Sequence, residues 1–386
     1  MKIFFHFIVA LGLISCNTKT ETIDYFGQAI PQTTPVVFGE NSISIKGRFE
    51  HGISFTPDIQ ELVFGVLDKD DFSGKIYYSK KNTNQWTEPD IFEPLKSKSV
   101  YLPYFSPGGR SILYTQSKSV ANNSVTDIWM LKKTNDFWGQ PVKLNSPIST
   151  STRESTACMT LDNTIYFSSN RGESGLADLY FSSPKNGKYT NVERIDMVSS
   201  VRDEESIFVS PDEDYIIFSR YATDKNGPDL YISYRDHNKK WGEPIVLDST
   251  INSTDWERRP FVSKDHKFLF FTKLSFDDKG LAESDIYWVN TTKVFKPFVF
   301  HPISEIRIKV KEETKISIPT NYFKDIDDQK LKISFDHKKF EWAKFDSQKM
   351  MLTMHPNKSG EFDLIFKGVD QFSNETEDKV RIIVEE

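Results

Sequence analysis

Cysteine is scarce in this 386-residue chain, with Cys16 and Cys158 its two copies, so a disulfide-dense scaffold is excluded. The seven histidines are scattered, and none pairs with another His or a Cys at the spacing of a zinc site. Neither a Gly-rich phosphate loop nor a Gly-x-Ser-x-Gly elbow occurs, which removes the commonest nucleotide-binding and serine-hydrolase readings. No apolar run after Leu13 approaches the roughly 18 residues that a membrane-spanning helix needs. Sustained helical periodicity is missing too, and a formal net charge of -6 argues against a nucleic-acid partner.

What the chain has instead is aromatic residues, 14% of the total, and a segment recurring five times at about 50-residue spacing. Each copy is a polar turn before an apolar run. The turns are Thr56-Pro57-Asp58, Ser106-Pro107-Gly108, Leu161-Asp162-Asn163, Ser210-Pro211-Asp212 and Ser263-Lys264-Asp265. The runs behind them are Leu62-Val63-Phe64, Ile112-Leu113-Tyr114, Ile165-Tyr166-Phe167, Ile216-Ile217-Phe218 and Leu269-Phe270-Phe271. A third run ends on an aromatic, as in Ile76-Tyr77, Asp127-Ile128-Trp129, Asp178-Leu179-Tyr180, Asp229-Leu230-Tyr231 and Asp285-Ile286-Tyr287. Period-two alternation makes these strands. A fourth element opens at Trp86, Trp138, Tyr189 or Trp241, usually with a proline nearby, which suits an edge strand.

Four strands of five or six residues with their turns fill about 50 residues, so each repeat predicts one four-stranded blade. A blade cannot bury its faces alone, and stacking blades accounts for the aromatics as core rather than as a ligand stack. The expected fold is all-β: a five-bladed β-propeller followed by a small β-sandwich. Pro35-Val36-Val37-Phe38, with Ile43 and Ile45, is placed to complete the last blade and remove its open edge. A six-bladed ring is the alternative, if that segment and residues 293–300 each build part of another blade.

The cassettes resemble the TolB-like propeller repeats of bacterial envelope proteins over about residues 35–298. Ser106-Pro107-Gly108-Gly109, Ser210-Pro211-Asp212-Glu213 and Asp178-Leu179-Tyr180 carry the likeness, while Thr56-Pro57-Asp58-Ile59 and Ser263-Lys264-Asp265-His266 depart from it. The resemblance implies a ring that binds partners or ligands. Lys2 and the apolar run Ile3 to Leu13 precede Leu13-Ile14-Ser15-Cys16, which resembles the lipobox of bacterial lipoproteins. That implies a signal over 1–16, lipidation of Cys16, a linker over 17–34, a membrane attachment through the lipid, and an envelope location, periplasmic or surface-exposed. Cys158 then remains alone, and an apolar strand makes it a buried hydrophobe rather than a nucleophile.

Residues 299–386 change character, with short strands expected at Ile306–Val310, Lys315–Ile318, Leu331–Phe335, Met351–Met354, Glu361–Phe366 and Lys379–Val384. Tyr322-Phe323-Lys324-Asp325-Ile326-Asp327-Asp328, Trp342 to Asp346, Ser359-Gly360-Glu361-Phe362 and Val369-Asp370 resemble the cadherin-like, dystroglycan-type immunoglobulin-fold modules. The resemblance implies calcium as the one candidate cofactor, at Asp325, Asp327 and Asp328. Asp327-Asp328-Gln329 stands where that family has Asp-Gly-Asp, Gln371-Phe372 replaces the glycine after the final Asp, and solvated turn acids are the competing reading.

Charge recurs where the chain enters each innermost strand: Glu50-His51, Tyr101, Arg153-Glu154, Arg202-Asp203-Glu204-Glu205 and Glu257-Arg258-Arg259. Such a channel mouth suits a carboxylated sugar or a peptide held by charge-assisted hydrogen bonds, with inter-blade ion pairing as the plainer alternative. The function expected is a lipid-anchored, non-catalytic binding or scaffold role for an envelope protein or glycan. The alternative is a glycan-active hydrolase or lyase drawing its acids from Glu154, Glu204, Glu205 and Glu257.

Overall fold

The computed structural model describes residues 25–386 apart from 84, 120–121, 222–226, 329 and 337–339, so Cys16 and the signal lie outside the described residues. Five antiparallel units follow one another. Their inner strands are Phe49–Phe55, Val100–Phe105, Glu154–Met159, Glu204–Val209 and Trp256–Val262. Second strands are Glu61–Leu67, Ser111–Ser119, Ile165–Ser169, Tyr215–Tyr221 and Phe268–Asp277, and third strands Gly74–Asn82, Asn122–Thr134, Asp178–Ser182, Pro228–Tyr234 and Gly280–Asn290. Each inner strand packs beside the next, and the fifth returns to the first, closing a β-propeller.

The fourth strands differ from expectation. Gln85–Trp86 and Phe137–Trp138 fold back in tight hairpins on the ends of their third strands, Lys81 pairing Trp86 and Lys133 pairing Trp138. The strand that completes the unit comes later, after the proline at Asp90–Ile91, Val142–Lys143 and Ile245–Val246, and after Val192 at Glu193–Arg194. Proline has no N–H to give to a ladder, so it stands in the gap between hairpin and edge strand.

The fifth unit takes its fourth strand from the other end of the chain. Val36 pairs Trp288 and Val37 pairs Tyr287. The Phe38 N–H donates to the Ile286 carbonyl at 2.7 Å, and Ser44 Oγ accepts from the Ile286 N–H at 3.2 Å. Phe38 and Trp288 are fully buried, and Phe38 meets Phe270 and Trp288 with ring centroids 5.1 and 5.2 Å apart. Burying a side chain of this size stabilises by about 2–3 kcal/mol, which is what a two-residue strand needs to stay seated. Thr291–Lys293 turns the chain out of the ring, and Phe298–Val299 pairs Phe323–Lys324 rather than building a further blade.

Residues 306–385 form two facing sheets. One runs Ile306–Lys309, Glu375–Glu385, Gly360–Val369, Lys332–Phe335, and the other Thr314–Ser317, Met351–Met354, Ala343–Asp346. Its own core includes Tyr322, Leu352, Leu364, Phe366 and Ile382. It abuts the ring through the Lys324–Asp214 ion pair at 2.6 Å and through Phe298, stacked on Tyr234 at 4.4 Å.

Candidate functional site

Every inner strand carries a β-bulge at the same place, on Gly52, Leu102, Thr156, Ser206 and Arg259, and all five have positive φ. A bulge bends the strand and re-aims the side chains on either side of it. A Cβ added at Gly52 would lie 3.6 Å from Leu102 Cδ2 and 3.8 Å from Arg259 Cβ, so the five bulges converge on the channel. They therefore sort the charged residues into two tiers.

The tier two residues before the bulge points away from the channel. Glu50, Glu154, Glu204 and Glu257 occupy it and are fully buried. Glu154 accepts the Thr150 N–H at 2.9 Å and the Thr152 hydroxyl at 3.1 Å; Glu204 accepts the Ser200 N–H at 3.0 Å and Arg220 Nε at 2.8 Å; Glu257 accepts Ser253 Oγ at 2.6 Å. Each clamps the loop entering its own unit. Arg48, Arg171 and Arg220 bond the glutamates and also lie over the aromatics of the second and third strands: Phe64 and Tyr77, Phe167 and Tyr180, Phe218 and Tyr231. These pairs give an aromatic at that point in the repeat a cation-facing role beyond bulk burial. Burial raises the pKa of Glu204, and pushes Glu50 up to about 7 against the pull of Arg48.

Glu154, Glu204 and Glu257 are thus loop clamps, placed by the bulge behind the channel wall. The sequence signal was a Ser or Thr four residues ahead of the acid, at Thr150, Ser200 and Ser253.

The tier next to the bulge forms the mouth. Glu205 of the fourth unit takes Arg153 Nη1 of the third at 2.9 Å on Oε1, and Arg258 Nη2 of the fifth on Oε2. Arg259 Nη1 lies 3.8 Å from the same Oε2 and donates to Ser206 Oγ. Three guanidiniums therefore share one carboxylate, and Arg258 Nε is buried with no acceptor among the described residues. Burial pushes Arg259 down to about 9, with Arg153 adding to it, and lowers Arg258 with help from Arg259 and Arg153. Asp203 supplies a second acid, tied to the Ala177 N–H at 2.6 Å, and Arg202 turns aside to the Tyr221 carbonyl at 3.3 Å.

His51 completes the ring between the fifth and second units. It is buried against Gly65, where any Cβ would stand 2.5 Å from its Cε1, and its ring is 6.2 Å from that of Tyr101. Neither ring nitrogen has a hydrogen-bond partner among the described residues. Burial, then the charges of Arg259 and Arg258, push its pKa down to about 3, so the imidazole is neutral.

The candidate calcium residues do not fit the ion. Asp328 spends Oδ1 on the Lys330 N–H at 2.9 Å and Oδ2 on the Gln371 N–H at 2.8 Å. Asp325 and Asp327 hydrogen-bond each other, burial and that contact pushing Asp325 up to about 8, so the three acids fall short of the six to eight oxygens calcium takes. Among the described residues no group of three or more His, Cys, Asp or Glu is placed to hold a metal.

No family model matches the chain, and no curated protein matches it. Among solved structures it is similar to a thermostable family-43 glycoside hydrolase, with 12% identity, 64% of this chain and 95% of that one covered, and a TM-score of 0.41. The catalytic domain of a Coprinopsis cinerea GH62 α-L-arabinofuranosidase matches at 8% identity over 68% of this chain and 98% of its own, TM-score 0.44. The β-propeller domain of a Pyrococcus furiosus protease matches at 13% identity over 61% and 78%, TM-score 0.33. These likenesses speak of the fold alone. The solved structures that the chain resembles include glycoside hydrolases, and the expected non-catalytic binding or scaffold role finds no support among them. The chemistry has to be read from the residues.

Proposed function

We propose that the chain is a glycan-active enzyme that seats a carboxylated sugar at the channel mouth. The observation that carries this is the sharing of Glu205 by Arg153, Arg258 and Arg259, which leaves guanidinium donors in excess beside a narrow channel. Guanidiniums bind carboxylates through paired, charge-assisted hydrogen bonds. Hydrolysis by two opposed carboxyls is poorly served, because Glu154, Glu204 and Glu257 are committed to loops and Glu205 is committed to arginines.

Elimination makes different demands, and these residues match them. Cations that neutralise a uronate carboxylate acidify the adjacent C–H; a neutral base takes that proton, a C=C bond forms, and the bond to the leaving glycosidic oxygen breaks as that oxygen gains a proton. His51 is the candidate base. Burial is the main hold on the imidazole pKa, and a carboxylate bound at Arg258 and Arg259 relieves the smaller part that those two charges add.

The Ser-Pro-Asp turns support placing the ring among TolB-like propellers, and the Tyr322 to Asp328 segment supports a cadherin-like identity for residues 299–386. The Leu13 to Cys16 motif supports a lipid-anchored protein of the bacterial envelope, with an envelope glycan as its partner. Metabolic labelling with palmitate, lost on Cys16→Ser, tests the anchor. Incubation with polyuronates tests the reaction: unsaturated sugar ends are expected, and Arg258→Ala should reduce their rate at least 100-fold while circular dichroism stays unchanged. Saturated products would overturn elimination, and binding of uronates without any cleavage would overturn catalysis.

A further inference from the structure

The second and third strands of the fifth unit run on past its inner strand, on the side of the mouth. Trp256 pairs Leu274 where the inner strand begins, and the hairpin continues with Ser275 opposite Glu283, Phe276 opposite Leu281 and Asp277 opposite Gly280. This projecting hairpin carries Phe276 with 45% of its surface exposed.

Phe276 is the outer end of a row. Its ring lies 4.4 Å from that of Trp256, and Trp256 lies 5.6 Å from Tyr221. Trp256 is half-buried, and a Cβ at Gly227 would collide with its indole, so the glycine is what lets the indole lie there. The inner end of the row meets the arginine cluster. The Arg258 guanidinium carbon is 5.8 Å from the Trp256 ring centroid. Burial and then Asp203 raise the Tyr221 pKa, while Arg259 and Arg153 pull it back, which sets the phenol beside the same guanidiniums. Phe38, Phe270 and Trp288 are core, whereas these three rings lead from the mouth out to solvent. An apolar strip rimmed by polar groups marks a binding surface.

The chemistry of the strip and its rim selects the occupant. One face of a pyranose is made of C–H bonds, and laying it on an aromatic ring removes apolar surface from water. The hairpin tip holds Asp277, Asp278 and Glu283 against Lys279, and Lys273 behind it is paired with Asp255 at 3.0 Å. Acids at that end repel a second carboxylate, and such repulsion is one half of specificity.

We propose that Tyr221, Trp256 and Phe276 seat the sugar next to the uronate and that this sugar is uncharged, so the substrate is a glycan in which uronates alternate with neutral sugars. This rests on the seating of a uronate at Arg153, Arg258 and Arg259 proposed above. The cations select the acidic sugar, and the aromatic row selects its neighbour.

Surface plasmon resonance on the immobilised full chain tests this, with the sugar renewed by flow so that turnover does not deplete it. The probes are glucuronic acid, tetraglucuronate and a tetrasaccharide alternating glucuronate with N-acetylglucosamine. The alternating tetrasaccharide should bind at least 20-fold more tightly than glucuronic acid and at least fivefold more tightly than tetraglucuronate. Phe276→Ala should weaken the alternating tetrasaccharide at least fivefold and leave glucuronic acid unchanged, and Phe276→Tyr should restore the difference. Equal affinity for monomer and alternating tetrasaccharide, tighter binding of tetraglucuronate, or an unchanged tetrasaccharide affinity in Phe276→Ala would each overturn the proposal while leaving the uronate seat in place. Binding of none of the three sugars would overturn both.

Discussion

Arg258 of the fifth unit and Glu205 of the fourth form a buried ion pair across the channel mouth, with side chains 13% and 7% exposed. Removing one partner of a buried pair strands the other charge, and here it strands several, because Arg153 and Arg259 face the same carboxylate. Glu205→Gln is therefore expected to destabilise by roughly 3–5 kcal/mol. Arg153, 35% exposed, is solvated on its open side, and Arg153→Ala should cost less than about 1 kcal/mol. Denaturant titrations compare the two. Equal losses would mean that the mouth is not a single electrostatic unit.

Glu50 sets a pH dependence with an unusual sign for a carboxylate. Its folded pKa, about 7, lies above the ordinary value of 4.5, with burial the main cause. The folded state holds the proton more tightly than the unfolded chain, so the contribution of this group is fully present below about 4.5 and is lost as pH rises towards 7. A tenfold difference in proton affinity is worth about 1.4 kcal/mol, which makes the loss on the order of 3 kcal/mol. Glu50→Gln should flatten the stability profile between pH 4.5 and 7. Unfolding curves at closely spaced pH values would reveal an unchanged slope if another group were responsible.

Phe38→Ala should loosen the seam where the N-terminal strand closes the fifth unit. The ring is fully buried among Phe55, Phe270 and Trp288, and a Phe→Ala change in such a core costs about 3–5 kcal/mol. The expected result is early proteolytic cutting near Val36 to Ile45 before the remaining units are attacked. Uniform cutting along the chain would place the weakest seam elsewhere.

Cys158 should be unreactive in the native protein. It is buried, and burial pushes its thiol up to about 12, leaving almost no thiolate at neutral pH. Mass spectrometry of the Cys158 peptide after alkylation should show modification only once denaturant is present. Rapid native labelling would contradict the packing of the third inner strand.

Much of the ring was legible because strand alternation and turn chemistry are local properties. The runs Ile165-Tyr166-Phe167 and Asp178-Leu179-Tyr180 could be assigned from their own residues, and they pair as expected. Trp86 and Trp138 misled on the outer strands because a hairpin and an edge strand share the same composition, and only the tertiary ladder decides which residues pair the third strand. The mouth was half legible. Glu204 and Glu205 are adjacent and identical, yet one clamps Ser200 and the other meets Arg153, because the bulge at Ser206 fixes which way each points. A positive φ at Thr156, Leu102 or Arg259 has no signature in those residue types, unlike the glycine at Gly52.

The closure of the fifth unit also dictates an order of events during synthesis. Ser44 and Ile286, which meet at the seam, stand 242 residues apart. Val36–Val37 leaves the ribosome before all five units and has no strand partner until Gly280–Asn290 has been made. Four units can fold as they emerge, since each pairs strands that are neighbours in the chain, but the fifth waits for the earliest segment to return. The last contact of the ring to form is thus the one that closes it, and any factor that shields Val36 to Ile45 in the meantime governs whether these five units become a ring or an open, adhesive ribbon.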